Sequence, residues 1–193
     1  HSWTDVLGDI ARVAEALELE SKGRELITQL EQRMEGIRDR ACAAQERPRV
    51  ACLEWLEPLM GAGNWVPELV QRAGGENLLG EAGEHSGCIT WERLLESDPE
   101  ILVLMPCGLD MKRTREEMYW LTDRAQWKSL KAVQNGRVYL TDGNHYFNRP
   151  GPRLVEALEI LGEIIHPNLF PPSFKERAWQ ETGGVPHQRK WDT

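Results

Sequence analysis

Arg137-Val138-Tyr139-Leu140-Thr141-Asp142-Gly143-Asn144-His145-Tyr146-Phe147-Asn148-Arg149-Pro150-Gly151-Pro152-Arg153 joins a short β-rich run to an amphipathic helix through an aromatic and cationic loop. Arg137 to Thr141 follows the turn Gln134-Asn135-Gly136 and reads as a strand. After Pro152, which suits a first helical turn, Leu154, Val155, Leu158, Ile160, Leu161, Ile164 and Ile165 form a broad apolar helix face. A strand running into a helix through a loop pinned by Pro150 and Pro152 is the building unit of an α/β sheet. Ligands of such sheets bind outside the carboxyl ends of the strands. His145, Tyr146, Phe147 and Arg149 are therefore candidate binding residues, supplying a titratable ring, two aromatic faces and a planar cation. The structural alternative is that the rings only close the sheet edge and that Arg149 or Arg153 pairs with a nearby carboxylate.

The same unit recurs upstream. Ile101-Leu102-Val103-Leu104-Met105 is a continuous apolar strand, as in a parallel sheet covered on both faces. Arg49 to Trp55 is another strand, and Trp65 to Ala73 a helix that ends at Gly74-Gly75. Thr90 to Glu96 is a short helix with a partial capping box, Asp110 to Leu121 a longer one, and Trp127 to Leu130 a single turn. This alternation predicts an α/β fold, a single doubly wound Rossmann-like lobe with a mostly parallel central sheet. Ahead of it, residues 3 to 44 read as two helices, with Val6, Leu7, Ile10, Val13, Ala14 and Leu17 at helical spacing in the first. Leu26, Ile27, Leu30, Met34 and Ile37 form an apolar stripe on the second that needs a partner. The chain thus divides into a helical segment 1–45, the α/β lobe 46–166, and a tail 167–193 broken by Pro and Gly. The tail is expected to be irregular, anchored in part by Trp179, and disordered from Pro186 to Thr193.

With 193 residues and 40% hydrophobic content the chain can bury one core. A net charge of −8 argues against nucleic acid as a partner, and no run is apolar enough to span a bilayer. Cys42, Cys52, Cys88 and Cys107 include no CxxC pair, which argues against a structural zinc site. Cys52 within a buried strand and Cys107 at the end of another suggest reduced thiols, so the expected compartment is the cytoplasm.

If the strands are parallel, three loops meet at one sheet edge. The first carries Glu54, Trp55, Glu57, Asn64 and Trp65; the second Pro106, Cys107, Gly108 and Asp110; the third His145, Tyr146, Phe147 and Arg149. Cys107 lies ahead of a helix N-terminus, where the dipole would favour a thiolate. With His145 it could serve as nucleophile and base, or as a pair of metal ligands, although a partly buried structural cysteine is the commoner outcome. His85 and Cys88 could likewise bind metal or simply belong to a polar loop.

Arg49-Val50, Glu54-Trp55, Gly63-Asn64-Trp65-Val66-Pro67-Glu68-Leu69, Ala73-Gly74-Gly75-Glu76-Asn77, Ser97-Asp98-Pro99-Glu100, Pro106-Cys107-Gly108 and Tyr146 to Arg153 together resemble a known family. It is the class III periplasmic-type substrate-binding proteins, which capture cobalamin and iron chelates for ABC transporters, and the likeness is greatest to the cobalamin-binding branch. The resemblance implies a linking helix at residues 24–42, a C-terminal lobe at 49–166, and an N-terminal lobe outside this chain. It further implies that Tyr146 lies against a corrin ring, with Trp65 as a second wall. The leading expectation is a non-enzymatic module that requires no cofactor. It would hold a corrinoid, such as cobalamin, or a similar tetrapyrrole or metal chelate against Trp55, Trp65, Tyr146 and Phe147, with Arg149 on a polar edge and Glu54, Cys107 and His145 beside it. Its candidate partners are the other lobe, an ABC transporter permease and a second copy of the lobe, and its compartment becomes periplasmic or membrane-associated extracellular if an export signal precedes the chain. The competing expectation is an enzyme using Cys107 and His145 on a small substrate; a third is a folded lobe without function.

Overall fold

A computed structural model describes residues 2–182. Its central strand, β5 (Ile101–Leu104), is fully buried along its length. It lies parallel to β1 (Arg49–Leu56) on one side and β6 (Val138–Thr141) on the other, with Val103 opposite Cys52 and Tyr139. Successive side chains alternate between faces. Val50, Cys52, Ile101, Val103 and Tyr139 therefore feed one core, while Ala51, Leu53, Leu102, Leu104, Val138 and Leu140 feed the other. Two cores explain why these strands are apolar at nearly every position.

The first core is closed by four helices: the start of α1 (Trp3–Ala16), α2 (Glu20–Ala41), α3 (Val66–Arg72) and α8 (Leu154–Ile165). The second is closed by α4 (Trp91–Ser97), by α5 (Met111–Glu117) and α6 (Tyr119–Thr122), and by a 3-10 turn at Trp127–Ser129 running into α7 (Lys131–Gln134). The single helix expected at 110–121 is thus broken at Met118. Thr90 caps α4 through Arg93 N, as its position suggested. On α2 the residues Leu30, Met34, Ile37 and Ala41 are buried, so this lobe already covers the lower part of the stripe. The helix begins earlier than expected, directly after the turn that joins it to α1 (Trp3–Ala16). Near that turn Val13, Leu17, Leu19 and Leu26 remain exposed.

The order across the sheet is β4-β2-β1-β5-β6-β7, with β3 (Glu76–Asn77) parallel to the first residues of β1. Here β2 (Leu59–Gly61) turns back antiparallel on β1, and β4 (Gly87–Cys88) pairs antiparallel with β2. The tail departs from the irregular structure expected of it. Trp179–Glu181 forms β7, antiparallel to β6, with Phe170, Phe174, Ala178 and Trp179 buried. The cause is Glu163 on α8, a buried carboxylate that accepts from Ser173 N (2.7 Å), Phe174 N (3.1 Å) and Trp179 Nε1 (2.7 Å). Three N–H donors on one buried carboxylate fix the path of the chain around it. The disorder expected at Pro186–Thr193 lies outside the described residues.

Candidate functional site

Parallel β1, β5 and β6 bring their carboxyl ends to one edge, and backbone hydrogen bonds tie the loops there into a single rim. Cys107 N donates to Glu54 O (3.0 Å), and Asn144 N donates to Leu109 O (3.2 Å). The loop after β6 is one π-helical turn, Gly143–Phe147, a geometry frequent at functional sites. It seats Gly143 against the second loop so closely that a Cβ there would lie 2.5 Å from Pro106 O and 2.8 Å from Met105 O. Only glycine fits that approach.

At the end of β1 the pairing register with β2 shifts between Leu53 and Trp55, and such irregularities re-aim side chains. Glu54, half-buried, accepts a hydrogen bond from Ser86 Oγ, which in turn accepts from Gly63 N (2.9 Å). Gly63 is required for this, since a Cβ would lie 2.8 Å from Ser86 N. Ser86 gave no signal in the sequence; it comes near Glu54 only because β4 folds back on β2. Trp55, also half-buried, donates from Nε1 to Glu57 O (2.9 Å).

Two expected walls prove to be supports. Phe147 is buried at 1% exposure, and Trp65 is buried with Nε1 donating to Phe147 O (2.8 Å). Both pack in the first core, where they hold the π turn from beneath. An indole needs an acceptor when buried, and the π turn supplies one. Tyr146 remains half-buried at the rim, edge-on to Phe174 with centroids 6.0 Å apart.

His145 is exposed and held by Asp142, whose carboxylate accepts from His145 N (2.9 Å) and lies 2.7 Å from Nδ1. A carboxylate on Nδ1 fixes the tautomer that leaves Nε2 with a free lone pair, the form that binds metals. Arg149 is exposed and donates to Asn144 Oδ1 (3.1 Å).

Cys107 is exposed, but its thiol is not activated. Partial desolvation of the thiol by the surrounding rim and the nearby Glu54 charge push its pKa up, and Arg149 only partly offsets them. The expected dipole effect fails because α5 starts beyond Cys107, and Asp110 caps it through Arg113 N (2.7 Å). Among the described residues no hydrogen bond joins Cys107 to His145, and the histidine is turned to Asp142 instead. Nor do His85 and Cys88 join a metal cluster, since no group of three or more metal-binding side chains occurs among the described residues. All four cysteines are free thiols, and burial pushes Cys52 up to about 12. A groove of about 410 Å³ between α2, α8 and the tail lies away from this rim. Arg33 there pairs with Glu159, and Glu163 is satisfied by the tail.

The rim therefore gathers aromatic edges, an oriented imidazole and opposite charges at the carboxyl ends of the parallel strands, the edge at which open α/β sheets bind ligands. The chain belongs to the periplasmic binding protein family, which it matches over residues 2–144. It is 24% identical over 176 residues to an uncharacterized ABC transporter substrate-binding lipoprotein, YvrC of Bacillus subtilis, covering 88% of this chain and 52% of that protein. It is also 24% identical over 135 residues to IsdE, a high-affinity heme uptake system protein of Staphylococcus aureus, covering 67% of this chain and 46% of that protein. The chain thus spans about half the length of these curated relatives. Among solved structures, S. aureus IsdE complexed with heme superposes with a TM-score of 0.72 at 22% identity, covering 86% of this chain and 65% of that one. An ABC transporter substrate-binding protein of Listeria monocytogenes gives 0.76 at 19%, covering 86% and 66%. The YvrC and Listeria proteins are named as ABC transporter substrate-binding proteins, and IsdE as a heme uptake system protein. Their names, a lipoprotein among them, lend no support to the cytoplasmic expectation, and no helix among the described residues is long and apolar enough to cross a membrane.

Proposed function

We propose that this chain is the C-terminal lobe of an ABC transporter substrate-binding protein and forms one wall of a cleft for a large metal chelate, a corrinoid in particular. In this reading α1 and α2 carry the link to a second lobe, which covers Val13, Leu17, Leu19 and Leu26. The partner is a permease, and the compartment is the outer face of the cytoplasmic membrane, as the lipoprotein relative suggests. Haem, named for IsdE, and other iron chelates belong to the same ligand class.

The observation that carries the reading is the Asp142–His145 pair at 2.7 Å beside the half-buried Tyr146. An aromatic edge buries a flat ring without directional bonds, and an imidazole oriented by a carboxylate supplies a ligand to its metal. The test is visible absorption spectroscopy of haemin and of aquocobalamin with the longest natural polypeptide that carries this chain. A shift reporting nitrogen ligation is expected with at least one chelate, lost in His145→Ala and weakened about 10- to 100-fold in Asp142→Asn. Spectra unchanged by stoichiometric protein would overturn the reading.

A further inference from the structure

Glu54 and Arg149 lie on either side of the loop that carries Cys107: Cys107 N donates to Glu54 O (3.0 Å), and Arg149 donates to Asn144, whose own N donates to Leu109 O (3.2 Å) two residues beyond the cysteine, so opposite charges from the two sides act on one thiol. Glu54 lies near the end of β1 and Arg149 in the loop after β6, two strands apart across the sheet, with the loop after β5 between them. Two strand spacings are about 10 Å, the scale of a tetrapyrrole edge. Between them sits a neutral thiol rather than a third charge.

The two are held differently. Arg149 is tied by one nitrogen to Asn144, which leaves the rest of its fork to donate. Glu54 is fixed by Ser86, whose only hydroxyl proton goes to Oε2 while its oxygen accepts from Gly63 N. Ser86 thus has no proton left for a ligand, and no donor among the described residues is bonded to Glu54 Oε1. An ionised carboxylate accepts hydrogen bonds and donates none. An amide N–H meets Glu54 favourably; a carboxylate in the same place brings like charge against it. A guanidinium accommodates either an amide carbonyl or a carboxylate, so Glu54 is the discriminating member.

Resting on the proposed chelate-binding role, we propose that Glu54, positioned by Ser86, together with Arg149 selects a macrocycle edged with carboxamides over one edged with carboxylates. Corrinoids have the first kind of edge and haem the second.

The experiment compares, by isothermal titration calorimetry, cyanocobalamin with its monocarboxylic acids, in which one side-chain amide is hydrolysed, and with haemin. The wild-type longest polypeptide should prefer intact cyanocobalamin over at least one monoacid by about tenfold or more, a difference of about 1.4 kcal/mol. Glu54→Gln should bring that ratio below about threefold. Ser86→Ala should do so in part and Ser86→Thr should restore it, a rescue that general loss of structure does not give; unchanged melting temperatures confirm intact folding. Haemin bound while both corrinoids are refused overturns the selectivity but leaves the chelate reading standing. Equal affinity for amide and acid in the wild type, or a ratio unmoved by Glu54→Gln, also overturns it. If no chelate binds, both readings fall.

Discussion

Cys107 holds its proton because burial and Glu54 both oppose the thiolate, with Arg149 offsetting only part of this. The sign makes a direct prediction at this scale. Glu54→Gln removes the opposing charge, lowers the thiol pKa and speeds iodoacetamide labelling of Cys107 at pH 8; Arg149→Ala slows it. Mass spectrometry of the labelled peptide reads both rates, and a slower Glu54→Gln reaction would contradict the assigned electrostatics. Cys52, pushed up to about 12 by complete burial, should label only when denaturant opens the fold. Gly143 makes another local prediction, because an added Cβ would press on two carbonyl oxygens that cannot yield. Gly143→Ala should cost about 1 to 3 kcal/mol in urea unfolding; a loss below about 0.5 kcal/mol, the size of an ordinary surface change, would show that the π turn is not seated as described.

Among the elements, the tail strand depends on one carboxylate. Glu163→Gln replaces an acceptor with an amide NH₂ facing N–H donors, and leaving a buried donor unpaired costs about 1 to 3 kcal/mol. The variant should lose stability by about that amount and become open to proteolysis between Pro167 and Trp179, mapped by mass spectrometry of the fragments. Stable resistance there would contradict the anchoring role. This element also shows where sequence reading fails. Continuous apolar runs such as Ile101 to Leu104 announce a strand because both faces are buried, and Thr90 announces a cap because its hydroxyl is needed locally. Trp179 to Glu181 carries no such pattern; it becomes a strand through Glu163, a partner 16 residues away from Trp179. The rim was legible in the same uneven way. The placement of Glu54, Trp55, Cys107, His145, Tyr146 and Arg149 at the sheet edge follows from strand order, whereas that of Ser86 depends on the antiparallel pairing of a three- and a two-residue strand that α3 and β3 separate in the chain. Phe147 looked like a ligand wall because aromatic type alone does not reveal which way a ring points in a π turn, and Trp65 because the acceptor that draws its indole inward lies 82 residues away.

For the molecule as a whole, one sheet edge gathers Trp55, Cys107, His145, Tyr146 and Arg149 into a rim, and the α1–α2 end carries exposed Val13, Leu17, Leu19 and Leu26. The central claim is that this rim holds a large metal chelate, and equilibrium titration followed by intrinsic tryptophan fluorescence tests it most directly, since Trp55 lies at the rim. Cyanocobalamin, haemin and a ferric hydroxamate should be titrated into the longest natural polypeptide carrying the chain. The account predicts saturable one-to-one quenching by at least one of them, weakened about tenfold or more by Tyr146→Ala, a loss of about 1.4 kcal/mol. Linear, unsaturable quenching by all three, unchanged by that substitution, would contradict it.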